Sequence, residues 1–116
     1  MISLIANGPV YKGFAVSLCL TSDERVELTD WTNYESVAMV VGIATGDAND
    51  GILVNIQTDG IYENMGWSFT RCKPVYVFVS GVVTQDMPPR NVIKIGKAIS
   101  KTKILINISE FVMVNV

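Results

Sequence analysis

Apolar and polar residues alternate with a period of two along several short stretches of the chain. In 101–109, Thr102, Ile104, Ile106 and Ile108 fall on one face, while Lys101, Lys103, Asn107 and Ser109 fall on the other. Residues 52–57 repeat the pattern, with Ile52, Val54 and Ile56 against Asn55 and Gln57. A leucine interrupts the polar face at the same place in both, Leu53 and Leu105, which fits either packing under a loop or a contact between subunits. Turn punctuation is dense: Asn7-Gly8, Asp50-Gly51, Asp59-Gly60, Ser80-Gly81 and Pro88-Pro89 separate short runs rich in Val, Ile, Tyr and Phe. The pattern predicts strands at 2–5, 10–20, 25–28, 37–43, 51–57, 74–79, 82–84, 91–98, 103–108 and 111–115. No window of helical length carries a 3.6-residue period, and at most one short turn is expected, within 30–36. The predicted class is all-β.

The two halves echo each other. Pro9-Val10-Tyr11 leads to Val41-Gly42-Ile43-Ala44 and then Ile52-Leu53-Val54-Asn55-Ile56; Pro74-Val75-Tyr76 leads to Ile95-Gly96-Lys97-Ala98 and then Ile104-Leu105-Ile106-Asn107-Ile108. A glycine of this kind suits a place where a strand bends or another backbone passes close. Two such units facing each other predict a small β-sandwich or barrel that closes edges otherwise prone to aggregation. The 116 residues are the usual size of one domain, so a single β domain over 1–116 is expected, with 1–8 as a possible N-terminal arm.

Composition adds an expectation about assembly. Apolar residues make up 49% and charged ones only 17%, which points to surface buried between subunits. The N-terminus has no basic stretch and too short an apolar run for a signal peptide, and nothing approaches the length of a membrane span, so a soluble product made in the cytoplasm is expected, with no membrane partner. Charge is uneven: residues 1–70 carry Lys12 and Arg25 against nine acids, and residues 71–116 carry seven bases against Asp86 and Glu110. Either head-to-tail contacts between copies exploit this polarity, or folding interleaves the halves and cancels it. The bases are not clustered with aromatics, so no nucleic-acid partner is expected.

Candidate chemistry is sparse. There is no histidine, hence no Ser-His or Cys-His pair, and no enzyme is expected. Cys19 and Cys72 are far apart with no CxxC spacing; buried free thiols are the expectation, and no metal or cofactor is. The loop Thr45-Gly46-Asp47-Ala48-Asn49-Asp50-Gly51 is oxygen-rich but fails the calcium-loop spacing, with glycine where a ligand belongs and Thr58 where the bidentate glutamate would fall. It reads as a hairpin turn. The aromatic segment from Gly60 on, Ile61-Tyr62-Glu63-Asn64-Met65-Gly66-Trp67-Ser68-Phe69-Thr70, suits core or interface burial better than a carbohydrate-binding face.

Across that segment and beyond it, over residues 60–108, Ile61, Glu63-Asn64, Trp67, Phe69-Thr70, Pro74-Val75-Tyr76, Gly81, Thr84-Gln85, Pro88-Pro89, Ile95-Gly96, Ala98, Ser100, Thr102 and Ile104-Leu105-Ile106 follow one another in an order that resembles a β module of phage fibre-like structural proteins. The whole-chain pattern, two units running from Pro-Val-Tyr to Gly-x-Ala, resembles the small capsid decoration (cement) proteins of tailed bacteriophages. Fibre-borne copies follow long stalks, and the near absence of chain before the module favours a shell-capping protein. The resemblance implies a homotrimer on the outer capsid surface of the virion, partnered with the major capsid protein. Candidate contact residues are Ile2, Leu4 and Ile5 in the arm, Trp67 and Phe69, and Phe111, Val112, Met113 and Val114 in the C-terminal run. The alternative is a tail-tip or fibre-associated module that binds a host surface glycan.

Overall fold

The computed structural model describes residues 1–19, 24–89 and 91–109, and over them the chain forms five strands and then five more. The first five are β1 (Ile2–Ala6), β2 (Ala15–Leu18), β3 (Arg25–Leu28), β4 (Val40–Ala44) and β5 (Leu53–Gln57), which close into a barrel in the order β1-β3-β2-β4-β5. The second five are β6 (Gly60–Glu63), β7 (Pro74–Val77), β8 (Val83–Thr84), β9 (Lys94–Ala98) and β10 (Lys103–Ile106), an open sheet in the order β6-β10-β9-β7-β8. Replacing each strand by the one five places later converts the first order into the second, cut at a single seam. That seam is the parallel pairing of β1 with β3, where Ile5 faces Arg25 and Ala6 faces Val26; β6 and β8 make no such pairing. The protein is a small all-β fold built from two copies of one strand plan, with one short helix, α1 (Tyr34–Ala38).

Two glycines fix the correspondence. Val16 faces Gly42 and then Ser17 faces Val40, so that Val41 is left over; Val75 faces Gly96 and then Tyr76 faces Lys94, leaving Ile95 over. Each unit thus carries the same β-bulge beside the same glycine. The cause is local: a Cβ on Gly42 would collide with the Gln57 carbonyl oxygen of β5, and one on Gly96 with the Leu105 carbonyl oxygen of β10. The echo is therefore anchored as expected on Gly42 and Gly96, but its flanks shift. Val16, and not Val10, corresponds to Val75. Ile56 corresponds to Ile104, since Ala44 pairs with Ile56 as Ala98 pairs with Ile104.

Two apolar clusters lie on either side of β2 and β4. Val16, Ala44, Val26, Val54 and Ile56 fill the barrel, whereas their chain neighbours Ala15 and Ile43 join Val37 of α1, Val75, Val77, Ile95 and Ile104 in the second cluster. Successive strand residues point to opposite faces, so a strand with core on both sides must be apolar throughout. This accounts for the unbroken run Val40-Val41-Gly42-Ile43-Ala44. The outer face of the barrel fills the open side of the second sheet, and the two units share one core. At their junction, a Cβ on Gly81 (φ +80°) would meet the Ala15 carbonyl oxygen, which only glycine avoids.

Helix α1 replaces the start of the strand expected over 37–43. Asn33 caps it, its side chain accepting from the Glu35 N–H at 3.0 Å. Beneath it, Ser17, Thr29 and Ser36 are fully buried and satisfy one another: Ser17 Oγ lies 2.8 Å from Thr29 Oγ1 and donates to the Ser36 carbonyl at 2.6 Å, while the Asp30 N–H donates to Ser36 Oγ at 2.9 Å. Elsewhere the expected strand over 10–20 shrinks to β2, because Gly13 turns the chain at φ +84° and Val10 only bridges Ala48. Strand β6 lies where aromatic content, not alternation, dominated the sequence reading. The expected strand over 111–115 lies outside the described residues.

Candidate functional site

The segment 1–8 is not a free arm: β1 is hydrogen-bonded on both sides, to β5 and β3, and is a stave of the barrel. Its alternation sorts the three N-terminal candidates. Leu4 points inward and packs against the barrel core, and Ile2, opposite the buried Ile56, lies at the barrel mouth, 40% exposed. Ile5 faces outward. Trp67 and Phe69 pack against the second core, with ring centroids 5.2 Å apart and Trp67 5.4 Å from Tyr62. Phe111, Val112, Met113 and Val114 lie outside the described residues.

The exposed large apolar side chains, among them Ile52, Met65, Val79 and Met87, include two cross-strand pairs. Ile5 of β1 faces Leu53 of β5, and Leu53 is 62% exposed. Ile61 of β6, 58% exposed, faces Leu105 of β10, 36% exposed. Neither leucine is packed under a loop. Residues directly opposite on antiparallel strands share a face, so each pair forms one continuous apolar spot on an otherwise polar sheet surface. Leu53 and Leu105 were legible as interruptions of the polar face; Ile5 and Ile61 needed the strand register.

Both spots have charged side chains of both signs around them. Around the first, Arg25 faces Ile5 across β1–β3 and lies 3.8 Å from Asp50, and Glu24 accepts the Ile5 N–H through its carbonyl at 3.2 Å. Around the second, Lys97 faces Leu105 on β9, and Lys103 stands two residues before Leu105 on the same face of β10, opposite the exposed Glu63 of β6. The structural repeat boundary also divides the charge: residues 1–59 hold Lys12 and Arg25 against eight acids, and residues 60–109 hold seven bases against Glu63 and Asp86. Among the described residues, the salt bridge Arg25–Asp50 lies inside the first unit and none joins the two units.

Several concave features lie among the described residues, one of about 160 Å³ between Lys94, Gly96, Lys97, Leu105 and Asn107. An open groove of about 250 Å³ runs between the units, lined by Phe14, Asn64, Trp67 and Val82 among others. A cleft of about 380 Å³ is bounded by Leu28, Asp30, Trp31, Thr32, Val79 and Ser80; Asp30 Oδ1 there already accepts from the Thr32 N–H at 3.0 Å and hydroxyl at 2.6 Å. In the 45–51 loop, Asp47 accepts from the Lys12 N–H and Asp50 from the Gly8 N–H, both at 2.8 Å, so these carboxylates tie down backbone. Among the described residues, no three His, Cys, Asp or Glu side chains come together as a metal site would need. Among the described residues, no helix is long and apolar enough to cross a membrane. The expectation of buried thiols fails: Cys72 is exposed at φ +74°, in a turn, and Cys19 is half-buried and accepts from Asn7 Nδ2 at 3.4 Å.

One buried group stands apart from this surface. The Tyr62 hydroxyl is enclosed with no hydrogen-bond partner, and burial raises the phenol's pKa above its usual value. Comparison with known proteins gave no match: no family model, curated protein or solved structure matches the chain.

Proposed function

We propose that this chain is a non-enzymatic structural protein of a tailed phage, a decoration (cement) protein that binds the outside of the capsid shell as a homotrimer. The observation that carries this reading is the pair of uncovered apolar spots, Ile5 with Leu53 and Ile61 with Leu105, on a rigid all-β body. Uncovered aliphatic side chains grouped across strands are what a protein–protein contact buries. A platform presenting several such contacts suits a protein that straddles neighbouring capsid subunits, because outward pressure must then break them together. The order of turn and strand residues from Ile61 on, which resembles a β module of phage fibre-like structural proteins, and the looser two-unit pattern, which resembles decoration proteins, support the phage assignment. The test is co-sedimentation of the purified chain with empty expanded capsids assembled from the major capsid protein of the same genome. Saturable pelleting is expected; a chain that stays in the supernatant at every ratio refutes the reading.

A second reading, a module that binds a host surface glycan at a tail tip or fibre, is favoured by the groove that brings Phe14 and Trp67 beside the Asn64 amide. Aromatic faces with an adjacent amide suit a sugar ring. It predicts that Trp fluorescence responds to host polysaccharide and that capsids are not bound.

A further inference from the structure

We infer that the concavity between Lys94 and Lys97, on the outer face of the second sheet, is a binding site for one compact oxyanion, a carboxylate or phosphate group. The inference goes beyond the decoration reading and does not rest on it.

The site is a product of the repeated bulge. In a regular strand, residues three apart point to opposite faces, so Lys94 and Lys97 would diverge. The leftover Ile95 takes up one residue of β9: Lys94 faces Tyr76 and Gly96 faces Val75, which returns both lysines to the exposed face while Ile95 and Ala98 enter the core. Gly96 lies between the lysines and cannot carry a side chain, because a Cβ there would meet the Leu105 carbonyl oxygen. The gap this leaves is a pocket of about 160 Å³ walled by Lys94, Lys97, Leu105 and Asn107. Its frame is held by hydrogen bonds. The Asn107 N–H donates to the Ile95 carbonyl and the Ser109 N–H to the Lys94 carbonyl, both at 2.9 Å, and the Lys94 N–H donates to Ser109 Oγ at 3.1 Å.

The walls are chemically one-sided. Two ammonium groups and one amide line the pocket, and no carboxylate does. Neither lysine has a salt-bridge partner among the described residues. Glu63 of the same sheet lies opposite Lys103 on β6, accepts from the Thr102 hydroxyl at 3.4 Å, and forms no part of the wall. Like charges held side by side without a counter-charge cost free energy. An oxyanion between them removes that cost, and hydrogen bonds from ammonium groups to a charged oxygen are among the strong ones. Volume limits the occupant: sites for whole drug-sized ligands begin at roughly 300 Å³, so this pocket takes a single anionic group, free or at the end of a larger molecule. The equivalent positions in the first unit show what the same bulged face does when it is covered. There Val40 and Ile43 stand in place of the lysines and are buried against the second unit.

Nuclear magnetic resonance of the isotope-labelled chain tests the site directly. Chloride is replaced stepwise, at constant pH and ionic strength, by inorganic phosphate in one arm and by acetate in the other, so that general screening of surface charge stays fixed. The amide signals of Gly96, Lys97, Leu105 and Asn107 are expected to move together along one saturable curve, while those of β1 and β5 stay still. Lys94→Gln and Lys97→Gln should each weaken binding several-fold, and the double variant should not saturate. Lys101→Gln, in the turn between β9 and β10, should bind as the wild type does. All three lysines are exposed, and the spectra themselves establish that each variant is folded. Saturation in either arm supports the site and names its oxyanion. Absence of a shift in both arms, shifts that spread over the surface lysines without saturating, or saturable shifts that survive the double variant each overturn the inference. No shell is present in this experiment, so its failure leaves shell binding open, and failure to bind shells leaves the anion site open.

Discussion

Ile43 and Lys97 occupy the same position in the two units, each following the glycine of its bulge, yet Ile43 is fully buried and Lys97 is exposed. One strand plan has been used twice, and the chain tells the copies apart by what covers them. The outer face of β4 has the second sheet against it, and that of β9 does not. Ile43→Ala should then cost about 2 to 5 kcal/mol, the range for truncating a buried aliphatic side chain. Lys97→Ala should change stability by less than about 0.5 kcal/mol, as exposed substitutions usually do. Urea denaturation of the two variants checks the contrast, and equal losses would contradict it.

The bulge glycines predict a second contrast. A methyl group at Gly42 or Gly96 collides with a backbone carbonyl of the next strand, which cannot rotate away as a side-chain tip could. Gly42→Ala and Gly96→Ala should each destabilise by about 1 to 3 kcal/mol or more. Gly46, whose added Cβ would meet nothing within 4 Å, is the control, and Gly46→Ala should be nearly neutral. Thermal melting of the three variants is sufficient.

Tyr62 predicts an increase in stability. Its hydroxyl is buried without a partner, a desolvation cost of about 1 to 3 kcal/mol, whereas the ring contact with Trp67 needs no oxygen. Tyr62→Phe should therefore be neutral or stabilising by up to about 1 kcal/mol. The sign of the pH effect follows from the raised pKa. The folded state holds the phenol proton more tightly than the unfolded state, so stability is intact below the unfolded value near 10 and falls as pH rises through the folded value. The stability difference between the wild type and Tyr62→Phe, measured across pH 9 to 11.5 on the scale set by the model phenol, should move further in the variant's favour as pH rises.

The hydroxyl cluster predicts a loss. Removing Ser17 Oγ takes the partner from Thr29 Oγ1 and leaves the Ser36 carbonyl with the Met39 N–H alone, in a fully buried site. Ser17→Ala should cost about 1 to 3 kcal/mol, and hydrogen exchange of the amides around α1 should accelerate with it. Unchanged protection there would show that the cluster does not hold the helix down.

Much of the fold was legible because its signals are local. Alternation at 52–57 and 103–108 reports strands with one wet face, and the two Gly-x-Ala sequences report a carbonyl passing over a strand. The flanks of the repeat were misaligned by residue identity: Val10 looks more like Val75 than Val16 does, because both follow a proline, but strand pairing is set by the bulge and not by the neighbour. Helix α1 was invisible as a period, being a single capped turn and a little more. Of the candidate surface, Leu53 and Leu105 were legible as apolar residues at polar positions. Ile5 was distinguished from Ile2 and Leu4 only by the register of β1. Ile61 lay within a segment whose aromatics drew the reading toward burial, and the charges beside the two spots needed the fold to bring them there.

The central claim, that this chain decorates a capsid shell, is tested most directly by cryo-electron microscopy of particles produced with and without it. The account predicts added density outside the shell at three-fold or quasi-three-fold positions, into which three copies of the ten-strand body fit, and its loss when the gene is deleted. Density confined to the tail or fibres, or identical shells in the two maps, would contradict it.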